Sequence, residues 1–140
     1  MVLINTIEII HFLIKYHPHQ SVYFNVLAGD VEKNFERDYY GVSYKKALTQ
    51  LLSQETEDTL RIYSQDYTGK INVMNFTKTD AQRIKFVDRI EDANYFISLF
   101  NPRYINQLDI NQRPINNNDS VIIDISIKNY SLIKILKLNK

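Results

Sequence analysis

The sequence contains no cysteine and no tryptophan, and only three glycines and three prolines in 140 residues. Without cysteine there is no disulfide framework, no thiolate zinc site and no thiol nucleophile. Gly29, Gly41 and Gly69 stand isolated, so neither the dinucleotide fingerprint nor the Walker phosphate loop is present. Charge of one sign is also missing, since 17 Lys+Arg face 16 Asp+Glu. A net charge of +1 makes no field that would gather a phosphate backbone or an anionic bilayer, so no nucleic-acid partner is expected. No apolar run reaches the roughly 20 residues that cross a bilayer. The closest, Val2 to Ile14, is interrupted by Asn5, Glu8 and His11. It also lacks the basic start and small-residue cleavage site of a signal peptide, so a soluble chain is expected.

Hydrophobic residues make up 44% and charged residues 24%, which is enough apolar material for one packed core and excludes wholesale disorder. One domain over residues 1–140 is expected, with an amphipathic helix at 1–16, an α/β core at 17–100, a loop at 101–120 and a hairpin at 121–140. Leu3, Ile7, Ile10 and Ile14 fall on one helical stripe, which either docks on its own domain or meets a membrane surface or membrane-embedded part. Pro18 closes that helix. Val22 to Val26 reads as a short strand ending in the turn composition of Ala28, Gly29 and Asp30. A helix follows from Ser43, with the Ser43 hydroxyl as its cap and Tyr44, Ala47, Leu48, Leu51 and Leu52 on its apolar face.

Leu60 to Tyr63, Ile84 to Val87 and Ala93 to Phe100 read as three strands, with a loop at Asp66 to Gly69 and a short helix or turn at Ile71 to Phe76. Val121, Ile123, Ile125 and Ile127 alternate with mostly polar neighbours, and Leu132 to Leu138 returns after a turn at Lys128 to Ser131. The class is therefore α/β, a small sheet of about three strands with flanking helices and a C-terminal β-hairpin.

Reactive arrangements are sparse. His11, His17 and His19 offer imidazoles for a metal, yet His17 and His19 lack a dependable third ligand, and neither metal nor cofactor is expected. Glu32, Glu36 and Asp38 are close enough in sequence to share a proton, although such runs usually belong to solvated surface. Ser21, Ser43 and Ser64 lack the G-x-S-x-G turn of a serine nucleophile. Tyr39 and Tyr40 beside Arg37 and Asp38 suit either a sugar ring or a core edge.

The most specific signal spans His17-Pro18-His19-Gln20-Ser21-Val22-Tyr23-Phe24-Asn25 and Asp38-Tyr39-Tyr40-Gly41-Val42-Ser43-Tyr44, continuing through Lys45 and Lys46 to Ala47. Together these resemble the H-P-x-Q-x-x-Y-F-N and D-Y-(W/Y)-G-x-S-Y-x-x-A stretches of bacterial polytopic membrane glycosyltransferases, of the protein mannosyltransferase and aminoarabinose transferase type. Ala93 to Ile97 is similar to a later strand of their soluble C-terminal domain. Tyr40 stands where Trp is common, His19 where an aromatic is common and Asn94 where Asp is usual.

The resemblance implies an accessory, non-catalytic extramembrane domain, inactive alone, that supports sugar transfer from a polyprenyl-phosphate-linked donor. It covers neither the multi-helix membrane portion nor the acidic loop with the catalytic carboxylate, which implies an excised piece, a split gene product or a remnant. Its partner would be the membrane-embedded glycosyltransferase portion, together with lipid-linked sugar or acceptor. Its place would be membrane-associated on the extracytoplasmic face, or cytoplasmic if free-standing. The resemblance assigns binding or interface roles to His17, Gln20, Tyr23, Asn25, Asp38, Tyr40, Ser43 and Tyr44. Asp38 is expected near the amides of a helix start. The alternative from another class is a free-standing protein-interaction domain using the N-terminal apolar helix, and a small hydrolase comes third.

Overall fold

Buried apolar residues at helical spacing in one segment, and at alternate positions in several others, build a helix-on-sheet arrangement. The computed structural model describes residues 2–20, 29, 38, 40–99, 119–128 and 130–139, with side chains from Thr6 onward. Among them are helices α1 (Val2–Lys15), α2 (Val42–Gln54), α3 (Thr68–Asn72) and α4 (Lys78–Arg83), and strands β1 (Leu60–Ser64), β2 (Ile84–Phe86), β3 (Tyr95–Ser98), β4 (Ser120–Ile127) and β5 (Tyr130–Lys137). Single 3-10 turns follow α3 at Val73–Asn75 and precede β3 at Ile90–Asp92.

The strands form one sheet in the order β2-β1-β3-β5-β4. β1 pairs in parallel with β2 and β3, whereas β5 pairs antiparallel with β3 and β4. The expectation of about three strands is corrected here: the α/β class holds, but the sheet has five strands. The hairpin is an integral half of the sheet because β3 is buried at every residue and needs a neighbour on each side. β5 supplies it, aligning Ile135 with Ile97 and Leu136 with Phe96.

On one face, Tyr44, Ala47, Leu48 and Leu51 of α2 pack on Leu60, Ile62, Ile97, Ile125, Ile133 and Ile135. Val73 and Phe76, on the link from β1 to β2, join this cluster, whereas Ile90 and Ala93, on the link from β2 to β3, pack with Phe96 and Leu136. The two links run in opposite directions across the sheet and join opposite clusters, as a pair of right-handed crossovers requires.

Several local readings differ from the structure, and others fall outside what it describes. Residues 21–28 and 100–118, which carry the proposed first strand and almost all of the 101–120 loop, lie outside the described residues, and Ser120 already belongs to β4. α3 begins at Thr68, inside the expected 66–69 loop. α4 was not anticipated; it is one short turn-and-a-half whose start is set by the Thr77 hydroxyl accepting from the Asp80 amide at 3.2 Å. The β4 alternation breaks at a bulge between Val121 and Ile123, so Val121 is exposed while Ile123, Ile125 and Ile127 are buried.

α1 meets the domain narrowly. Phe12 is buried against Ile127 and Leu132 at the hairpin end, with Tyr16 beside it and the Lys128 ammonium 5.4 Å from the Phe12 ring centre. The Leu3, Ile7, Ile10, Ile14 stripe is not the docking face, since Ile7, Ile10 and Ile14 are exposed.

The C-terminus of α2 is closed from across the fold. Arg83 donates from Nη1 to the Leu52 carbonyl at 3.1 Å, from Nη2 to the Glu55 carbonyl at 2.5 Å, and from Nη2 and Nε to the Glu57 carbonyl at 3.1 and 3.2 Å. A planar five-donor fork reaches three separate carbonyls; an ammonium does not. Arg83→Lys is therefore expected to lower stability by about 1–2 kcal/mol, a net loss of hydrogen bonds to a charged group. A urea midpoint equal to that of the unaltered protein would refute this role.

Candidate functional site

The first amides of a helix have no partner within it, and here a carboxylate three residues upstream of Gly41 supplies one. Asp38 accepts from the Val42 amide at 3.0 Å through Oδ1, and from the Ser43 amide at 2.7 Å and the Ser43 hydroxyl through Oδ2. The helix thus starts one residue earlier than read from sequence, and the Ser43 hydroxyl donates to the capping carboxylate where it was expected to cap. The chain reaches this position through Gly41, whose φ of 63° is left-handed. A β-carbon there would lie 2.1 Å from Thr68 Cγ2, so shape as well as backbone angle calls for glycine.

Tyr44, one turn along and fully buried, carries the motif to the sheet. Its hydroxyl donates to Asp66 Oδ2 at 2.5 Å, and Asp66 Oδ1 accepts from the Thr68 amide at 2.8 Å. The Ser64 hydroxyl donates to the Asp66 carbonyl at 2.8 Å. Gly69 lets this loop close, because a β-carbon there would sit 2.4 Å from Ser64 Oγ and 3.0 Å from Tyr44 Cε1. Burial, reinforced by the Asp66 carboxylate, pushes the Tyr44 phenol far above its usual range, so it remains a donor.

His19 is 3% exposed, and neither ring nitrogen has a hydrogen-bond partner among the described residues. Burial lowers its pKa from the ordinary value; Asp38 opposes that shift, while Lys46 and His17 add to it. His17 is exposed and lies 2.5 Å from the Gln20 side-chain nitrogen through Nδ1.

Of the residues assigned by resemblance, Asp38 and Ser43 are buried and bonded to each other, and the adjacent buried Tyr44 bonds to the half-buried Asp66. His17 and Gln20 contact each other, Tyr40 is exposed, and Tyr23 and Asn25 lie outside the described residues. Glu32, Glu36, Ser21 and Tyr39 also lie outside them. The described residues contain no group of three potential metal ligands. Sequence reasoning missed Ser64, Asp66 and Gly69 as partners of the motif. The only signal was the polar, turn-forming run that follows the apolar alternation of β1.

Beyond this loop, at the carboxyl ends of the parallel strands β1 and β2, a crevice of about 230 Å³ opens between Tyr63, Gln65, Asp66, Tyr67, Lys70 and Asp88. The carboxyl ends of parallel strands are where open α/β sheets commonly bind ligands. Lys70 Nζ lies 3.1 Å from Asp88 Oδ1 across its mouth. Comparison with family models, curated proteins and solved structures finds no match, so the glycosyltransferase resemblance rests on its own residues.

The His19 environment sets a pH dependence. Its folded pKa lies below its unfolded value, so the unfolded chain takes up the proton first, and stability is full above about pH 6.5 and falls as pH drops through that value. The urea midpoint is expected to decline between about pH 7.5 and 5.5 and to become flat across that range in His19→Phe. The lowered carboxyl pKa values of Glu55 and Asp124 act in a separate, more acidic window. A slope retained in His19→Phe would assign the effect to another group.

Proposed function

We propose that this chain is an accessory extramembrane domain of a membrane glycosyltransferase, supporting transfer of sugar from a lipid-linked donor and seated on the membrane-embedded portion by α1. The observation that carries this reading is the uncovered side of α1. At 100° per residue Phe12 and Tyr16 fall together toward the hairpin, Glu8, His11 and Lys15 form an adjoining polar strip, and Ile7, Ile10 and Ile14 occupy the opposite side, with Leu13 bordering it. Ile7 is 64% exposed, Ile10 51% and Ile14 77%. An exposed apolar face on a helix whose buried side chain among the described residues is Phe12 suits a surface completed by a partner.

The motif residues support the same reading by what they do. The side-chain oxygens of Asp38, Ser43, Tyr44 and Asp66 are engaged within two adjoining helix starts, which suits a scaffold that presents a surface more than a centre that turns over substrate. No helix among the described residues is long and apolar enough to cross a membrane, so on this reading the bilayer contact comes from the partner. The exposed α1 face also serves the second reading, a water-soluble protein partner.

Replacing Ile7 and Ile10 by Glu separates the two. Each buried isoleucine contributes about 1.5–3 kcal/mol, so the double variant is expected to lose at least tenfold in association with detergent-solubilised membrane extract while keeping the urea midpoint of the parent. Recovery of a multi-span membrane protein with the parent chain, and its loss with the variant, supports the proposal. Recovery of a water-soluble partner alone assigns the second reading.

A further inference from the structure

We infer that the crevice between the carboxyl ends of β1 and β2 is a binding site for a neutral, hydroxyl-rich ring of pyranose size. It shares no residue with α1 and stands apart from the proposed docking face.

Size decides first. Pockets for drug-sized ligands hold about 300–1,000 Å³; this one holds about 230 Å³, enough for a single ring. Charge decides next. Asp66 and Asp88 border the space against one cation, Lys70, and that cation is already paired with Asp88 at 3.1 Å, which disfavours an anion. A free cation is disfavoured in turn by Lys70 and by the engagement of both Asp66 oxygens with Tyr44 and Thr68. A neutral molecule carrying both donors and acceptors fits the remainder: the exposed Lys70–Asp88 pair is worth little in water and opens at small cost to bracket vicinal hydroxyls. The Tyr67 ring, 70% exposed at the rim, offers a flat apolar face for the carbon side of such a ring.

The support beneath the crevice is built in advance. The loop from Ser64 to Gly69 is fixed from below by the Tyr44–Asp66 and Ser64–Asp66 bonds and by the close approach at Gly69. A site preorganised in this way loses less ordering entropy on binding. It also gives the buried Tyr44 a purpose at a distance: it acts as a positioning residue for the loop that faces the ligand.

The test is an amide-correlation titration of the whole chain with glucose, mannose, galactose and N-acetylglucosamine to about 50 mM, a range chosen for millimolar affinities, with inorganic phosphate in parallel. The expected result is saturable shifts confined to Gln65 to Lys70, Val87 and Asp88 for at least one sugar. Binding is expected to weaken at least about tenfold in Tyr67→Ala and in Lys70→Met. Asp88→Asn, which removes an exposed charge and turns one of two acceptor oxygens into a donor, replaces either variant should its spectrum lose dispersion. The inference is overturned if no sugar gives saturable shifts there, if the variants bind unchanged, or if phosphate alone saturates the same amides.

Discussion

The hydrogen bond from the Tyr44 hydroxyl to Asp66 joins the two halves on which the architecture depends. One end is the first turn of α2, positioned by Asp38; the other is the loop leaving β1 at the carboxyl edge of the parallel strands. Neither half is fixed by apolar contact alone, because a helix on a sheet can slide along its axis at little change in buried area. A directional bond from the buried Tyr44 to the half-buried Asp66 removes that freedom, and leaving the buried phenol without its acceptor would cost about 1–3 kcal/mol. Gly41 and Gly69 make the bond possible. They flank the Tyr44 ring, with Gly41 turning the chain into the helix and Gly69 admitting the ring against Ser64. Two of the three glycines are thus committed to one tyrosine.

The parts legible in the sequence are those where a single periodicity governs. α2 reads from Tyr44, Ala47, Leu48 and Leu51, and β1 from the alternation around Leu60 and Ile62, because their burial comes from one face against one core. The start of α2 reads one residue late because Ser43 satisfies the local capping rule while the actual acceptor, Asp38, lies across a left-handed glycine. Strand count fails for a different reason. Hairpin and sheet each look complete along the chain, and only the burial of β3 on both faces demands that β5 lie beside it. The partners of the motif at Ser64, Asp66 and Gly69 lie 20 or more residues from Tyr44, and short-range patterns carry no trace of such a pairing.

α1 shows the opposite failure, in which a correct periodicity leads to the wrong face. Leu3, Ile7, Ile10 and Ile14 are the obvious stripe, yet Phe12 makes the contact. One aromatic ring inserted between Ile127 and Leu132, with Lys128 above it, buries more area at one point than an isoleucine offers, so the hairpin end selects the ring. The aliphatic stripe is then turned outward. A helix with two apolar faces, one narrow and inward, one broad and outward, is suited to stand between its own domain and another body.

The sheet edges sharpen that conclusion. A partner can add a strand to an open edge or cover an exposed helix, and the two modes leave different marks. Among the described residues the edges are β2 and β4. β2 is three residues long with Lys85 exposed, too short to template a stable ladder. β4 carries irregularities at Val121/Ile123 and Ser126, and its outer face presents Asp124 and Ser126, with Asp124 bonded to Ser126, Ser131 and Lys134. Bulges and a paired charge on an edge oppose strand addition. With both edges guarded, association by backbone pairing is disfavoured, and on the proposed reading the free energy for recruiting a partner would reside in the exposed side chains of Ile7, Ile10, Leu13 and Ile14. On that reading α1 would lie in an apolar groove of its partner, with the exposed Glu8, His11 and Lys15 along its margin to fix the orientation.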